Sequence, residues 1–138
     1  MSSKSHGSKT VHVSGRRKSA LARATLQKGS GVVRLNGRLL ESYTPEMYQL
    51  RIREPLILAG DVAKSVNVNI NVYGGGVASQ SQASRLAIGK ALAQYDKSLR
   101  NIFLEYDRSL LVADVRRKES KKPNTSGKAR AKTQKSYR

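Results

Sequence analysis

Apolar spacing along residues 10–115 switches between a period of two and a helical period, and the switch points outline the elements. Thr10 to Ser14 (TVHVS) predicts a short strand, broken at Gly15 and followed by an exposed turn of Arg16, Arg17 and Lys18. From Ser19 to Gln27, Ala20, Ala22, Ala24 and Leu26 alternate with Leu21, Arg23, Thr25 and Gln27, as in a strand with one side on a core. Lys28-Gly29-Ser30-Gly31 is a turn, and Val32 to Leu35 returns as the next strand. Asn36-Gly37 turns into a brief strand at Arg38 to Leu40, because both turn residues accept positive φ. Thr44-Pro45-Glu46 starts a helix: Thr44 caps, Pro45 takes the first helical position and Glu46 faces the positive dipole end. Pro55 interrupts that helix, and Gly60 ends the segment Leu56 to Ala59. Val66 to Tyr73 (VNVNINVY) is the clearest strand, with Val66, Val68, Ile70 and Val72 on the core side and Asn67, Asn69, Asn71 and Tyr73 on a polar, uncharged side. Gly74-Gly75-Gly76 leads into a long helix to about Tyr95, with Ile88, Ala91, Leu92 and Tyr95 as its stripe. Asp96 caps a further helix whose Leu99, Ile102, Phe103 and Tyr106 repeat at helical spacing, and Leu110 to Ala113 is a last short strand. Strands and helices around one sheet give an α+β fold, a two-layer α/β sandwich.

The two ends break this pattern. Residues 1–9 are polar and Ser-rich, a flexible N-terminus ahead of a globular domain over 10–115. Residues 116–138 form a tail without Val, Ile, Leu, Met or Phe, carrying ten Lys or Arg against the single acid Glu119. Such a segment cannot offset the entropy of ordering itself, so its structure must come from a polyanion. Net charge is +18; the tail with Lys4 and Lys9 accounts for most of it and leaves +7 for the body. Clustered positive charge makes nucleic acid the default partner. There is no Cys, hence no disulfide or thiolate site, which suits a reducing cytoplasm. No apolar run approaches a membrane span, and the start lacks the apolar stretch of a signal peptide.

Candidate chemistry is sparse. The three glycines before a helix suggest a phosphate loop, but a P-loop needs Lys and Ser/Thr after its last Gly, and Val77-Ala78 stand there. A tight strand-to-helix turn is the better reading. A small phosphotransferase using Gly74 to Gly76 is therefore the weaker alternative, beside a general nucleic-acid binder. His6 and His12 fall in no nucleophile motif, so no catalysis and no cofactor are expected. Asp107, Asp114 and Glu119 form no metal-ligand pattern and are expected to pair with neighbouring bases. Arg16, Arg17 and Lys18 concentrate cations on a rigid support, suited to phosphate.

Taken together, GRRKSALARATL, VRLNGRLLESY, REPLILAG, VNVNINVYGGGVASQSQASRLAIGKAL, DRSLLVADVRRKESKKP and the terminal QKSYR resemble the universal S-nine family of small-subunit ribosomal proteins over nearly the whole chain. The Lys-Ser-Tyr-Arg ending and GRRKSALARA resemble its archaeal branch. The resemblance implies a fold like the second domain of ribosomal protein S-five, with βαβ units and a left-handed crossover, and a long extended basic tail. It implies a cytoplasmic protein in the head of the small subunit, bound to rRNA and neighbouring head proteins, with its tail reaching toward the peptidyl-site tRNA anticodon stem-loop. No homo-oligomer or membrane contact is expected. By the resemblance, Arg16, Arg17 and Lys18 match the basic turn on rRNA, and Arg116, Arg117, Lys118, Lys121 and Lys122 the first basic run of the tail. Lys128, Arg130 and Lys132 continue that run on rRNA, and Lys135, Ser136, Tyr137 and Arg138 match the end that approaches tRNA. The chain departs from the family pattern in three places. Ser79-Gln80-Ser81 replaces Gly-Gln-Ala, Val115 stands where a Pro is common, and Asn67, Asn69 and Asn71 stand where many relatives have acids, a change that would ease approach to phosphate or is neutral drift.

Overall fold

The computed structural model describes residues 9–42, 45–124 and 129–130. Its strands are β1 (Val11–Arg17), β2 (Ala20–Lys28), β3 (Val33–Leu35), β4 (Arg38–Leu39) and β5 (Val66–Tyr73). They form one mixed sheet in the order β1-β2-β5-β3-β4. β5 runs antiparallel to β2 and parallel to β3. The chain thus does not fold straight back after Lys28. It crosses beyond the place that β5 later fills, and the Asn67 carboxamide oxygen holds the crossing by accepting the Ser30 and Val32 N–H groups, each at 3.0 Å.

The helices are α1 (Glu46–Ala59), α2 (Asp61–Lys64), α3 (Val77–Tyr95) and α4 (Leu99–Tyr106). α3 packs on the sheet, with α1 and α4 beside it. Between the layers Ala20, Ala22, Ala24 and Leu26 of β2 and Val66, Val68, Ile70 and Val72 of β5 are buried, as their alternation requires. Ala83, Ala87, Ile88, Ala91 and Leu92 of α3 face them, and Ile52, Phe103 and Leu110 close the sides. Among the described residues no helix covers the other face of the sheet, and the fold is a two-layer α/β sandwich.

Five local expectations give way to packing. Gly15 does not break β1; it is a slot for α3, since a Cβ there would lie 2.5 Å from the Ala83 carbonyl oxygen. Arg16 and Arg17 are consequently strand residues, and the turn is Lys18-Ser19. Pro45 has extended φ/ψ and precedes the helix rather than opening it; Thr44 lies outside the described residues. Helix α1 runs through Pro55, because Pro55 shares its buried stripe with Ile52 and Ala59, and packing there outweighs the missing N–H. Of the α4 stripe only Leu99 and Phe103 are buried, while Ile102 and Tyr106 are exposed. Asp96 accepts from the Ser98 N–H and hydroxyl just before that helix.

Leu110 is not in a strand. The Asp107 carboxylate accepts the Ser109 N–H at 2.9 Å and closes a 3-10 turn, Arg108–Leu110. That turn sets Leu110 over Gly89, where any Cβ would lie 2.4 Å from the Leu110 carbonyl oxygen. Leu110 is the last buried residue among those described. At the other end Lys9 is tied to the body, its ammonium donating to the Tyr95 carbonyl at 3.0 Å at the C-terminus of α3.

Candidate nucleic-acid interface

Alternation along β1 decides the fate of each cation near the first turn. Odd positions of the strand face α3 and even positions face the open side, so neighbouring arginines point opposite ways. Arg16 is exposed on the open side, its Nε donating only to the Lys18 carbonyl at 3.2 Å. Arg17 points to the helix side and is half-buried, against the expectation that all three cations are exposed. Its Nη1 lies 2.7 Å from Asp114 Oδ2 and its Nε donates to Gln82 Oε1 at 2.6 Å. Lys18 is exposed at the tip of the turn with φ +53°, a left-handed conformation that costs a non-glycine residue roughly 1–2 kcal/mol.

Asp114 sits where the tail leaves the body. Besides Arg17 it accepts the Arg116 backbone N–H at 2.9 Å and the Arg116 guanidinium, with Nη2 at 2.7 Å from Oδ2. The Arg116 side chain and backbone N–H, with Arg17's charge adding, hold the Asp114 carboxyl well below the usual carboxylate range; Asp114 in turn raises Arg116. Hydrogen bonds from Ser109 and Arg85 lower Asp107 in the same direction. The expectation that Asp107, Asp114 and Glu119 pair with bases holds at each: Asp107 with Arg85, Asp114 with Arg17 and Arg116, and Glu119 with Lys122 at 2.6 Å and Arg130 at 3.1 Å.

Arg17 and Asp114 thus join two basic stretches 97 positions apart in the chain. Arg16, Lys18, Arg117, Lys118 and Lys121 are all exposed, and among the described residues none of the five is in an ion pair. Lys128, Lys132, Lys135, Ser136, Tyr137 and Arg138 lie outside the described residues. Two arginines the sequence did not single out, Arg51 and Arg85, complete the corner. A groove of about 560 Å³ between the turn, α1, α3 and the tail is lined by Arg16, Arg51 and Arg116 among others. Arg85 is fixed inside it by Glu54 at 2.7 Å and Asp107 at 3.1 Å. These partners come from four elements, so no local pattern announces them.

The glycine loop abuts this corner. Gly74 and Gly75 have φ of +77° and +64°, and a Cβ on Gly74 would lie 2.4 Å from the Ser19 carbonyl oxygen. The Gln80 side chain donates back to the Gly74 carbonyl at 3.1 Å. Packing against the first turn accounts for these glycines without a nucleotide. Among the described residues no group of three His, Cys, Asp or Glu is placed to hold a metal, and no helix is long and apolar enough to cross a membrane.

Comparison with known proteins agrees with this picture of a small basic body with a basic extension. A family model described as ribosomal protein S9/S16 matches residues 15–138. The small ribosomal subunit protein uS9 of Methanococcus maripaludis strain C7 is 47% identical over 133 residues, covering 94% of this chain and 99% of that protein. The uS9 protein of Methanococcus vannielii is likewise 47% identical over 133 residues, with the same coverage.

Proposed function

The chain belongs to the ribosomal protein S9/S16 family in its archaeal form, and from that premise we propose that it binds small-subunit rRNA through its turn–tail corner and touches tRNA with its tail end. It is a structural constituent of the small ribosomal subunit, a cytoplasmic particle, and works in translation. Its partners are rRNA and neighbouring ribosomal proteins; no catalytic step is assigned to it. The observation that carries the rRNA reading is the Arg17–Asp114 ion pair at 2.7 Å. By pinning the root of the tail to the first turn, it makes one cationic edge from Lys18 to Lys121. Arg17 is then a positioning residue, and Arg16, Lys18, Arg117, Lys118 and Lys121 bind the phosphates. Most affinity comes from phosphate neutralisation with counterion release, and specificity comes from the shape of folded rRNA. Lys128, Arg130 and Lys132 extend the rRNA contacts. Lys135, Ser136, Tyr137 and Arg138 form a short cationic finger on the tRNA backbone in the peptidyl site, carrying little sequence information and so serving every tRNA alike.

The test is binding to a small-subunit rRNA transcript at several salt concentrations. With Arg16, Lys18 and Arg117 changed to Ala, the slope of log affinity against log salt falls by about 0.7–0.9 for each phosphate no longer neutralised. An unchanged slope means that these side chains do not touch phosphate. For the finger, subunits lacking residues 135–138 assemble normally and lose tRNA roughly five- to thirtyfold faster, as expected for charged hydrogen bonds. Equal dissociation from mutant and wild-type subunits removes the tRNA contact.

A further inference from the structure

No strand of the sheet carries a negatively charged residue: the chain has nine Asp and Glu, and all of them stand elsewhere. Register sets the outward side chains in rows: His12, Thr25, Asn69 and Arg34; then Ser14, Arg23 and Asn71; then Arg16, Leu21 and Tyr73. Three arginines, one from each row, thus share a surface with amides and one aromatic ring.

The asparagines divide by use. Asn67 holds the loop at Ser30 and Val32, and Asn36 holds the backbone of Val72, so the fold occupies both. Asn69 and Asn71 are exposed, and among the described residues their carboxamides have no hydrogen-bond partner. Tyr73 is 53% exposed, with the Arg23 guanidinium 5.8 Å from its ring centroid. A depression of about 280 Å³ opens at the Asn69 end of the face, lined by Gln27, Val32, Arg34, Asn67 and Asn69. Row three ends at Arg16, so the face runs without a break into the basic turn.

We propose that this face is a second RNA surface, holding unpaired nucleotides by stacking on Tyr73 and by amide contacts from Asn69 and Asn71, with Arg16, Arg23 and Arg34 on the flanking phosphates. The inference rests on the reading of the chain as an rRNA binder and adds to it a site of different chemistry. A carboxamide offers a donor and an acceptor side by side, which matches a base edge. Such edges are open in single-stranded loops and bulges, whereas duplex RNA hides them in a deep groove. A protein partner fits poorly, because among the described residues the aliphatic side chains in these rows and the depression, Leu21, Leu39 and Val32, are scattered singly and do not make an apolar interface core.

The test uses the full chain and a small-subunit rRNA transcript. Tyr73→Ala weakens binding roughly tenfold with the salt slope unchanged, since stacking releases no counterions, whereas Tyr73→Phe binds like wild type. Asn69→Asp with Asn71→Asp also weakens binding, more at low salt than at high. A photo-crosslinker at position 73 of reconstituted subunits attaches to nucleotides. Tyr73, Asn69 and Asn71 are all exposed, and equal thermal midpoints verify that the variants fold. If the Tyr73 and Asn variants bind like wild type while the turn–tail variant loses affinity, rRNA binding stands and the second surface is refuted. Crosslinking to a ribosomal protein instead of RNA also refutes it. If turn–tail and sheet variants alike bind normally, the rRNA reading falls with it.

Discussion

At Gly15 one added methyl group would stand 2.5 Å from the Ala83 carbonyl oxygen and 2.7 Å from the Ala87 nitrogen, both backbone atoms of α3 that cannot swing aside. Gly15→Ala is therefore expected to push helix and sheet apart and lower stability by about 1–3 kcal/mol, read as a lower urea midpoint. An unmoved midpoint would mean that the two layers do not touch there. The sequence shows Gly15 as a glycine amid alternating residues, which suits a break as well as a slot; only the approach of a helix over 60 residues later distinguishes them. Asp114 permits a pH argument. Its carboxyl is held below the ordinary 3.8, so its ionised form is favoured in the folded protein. The contribution of a depressed acid is present above its unfolded pKa and disappears as pH falls through the lower folded value. The clasp on Arg17 is thus expected to stay closed at about pH 4, where an unperturbed aspartate is already half protonated. Carboxyl carbon shifts of Asp114 followed by NMR check this, and a midpoint at the ordinary value would contradict it.

Elements, more than residues, show what local pattern can and cannot carry. Strands β2 and β5 were legible because a one-sided core imposes strict alternation on both. Their neighbours were not, since the position of β5 between β2 and β3 depends on a connection through two helices. The Asn36-Gly37 turn was readable from backbone preference, and both residues have positive φ, +51° and +82°. The second task of Asn36 was not: its amide accepts the Val72 N–H at 2.8 Å and donates to the Val72 carbonyl at 3.2 Å, prolonging the β3–β5 ladder. Asn36→Gly keeps the turn and loses both bonds. It should cost roughly 1–2 kcal/mol and speed hydrogen exchange at the Val72 amide more than at Ile70. Equal exchange at Val72 in both proteins would show that the ladder does not need the side chain. Pro55 makes the converse point. Its local effect on a helix is unfavourable, yet burial beside Ile52 keeps α1 continuous.

For the molecule as a whole, the core ends at Leu110 while charge continues beyond it. Removing residues 116–138 is accordingly expected to move the thermal midpoint by less than about 4 °C, upward at low salt as self-repulsion is relieved. A fall of about 10 °C or more would show that the tail packs on the body. Charge segregation made the basic extension legible in the sequence. The corner where turn and tail meet was not, because Arg17 and Asp114 find each other only after the sheet and α3 are built. That meeting also fixes a point of departure. The 23 residues from Arg116 to Arg138, fully extended, reach at most about 75–80 Å from it. By chain length alone, a sphere of that radius corresponds to an effective concentration on the order of millimolar for the end of the chain. A contact proposed for that end would then need only millimolar intrinsic affinity, which is within the range of plain lysines and arginines and requires no base to be read.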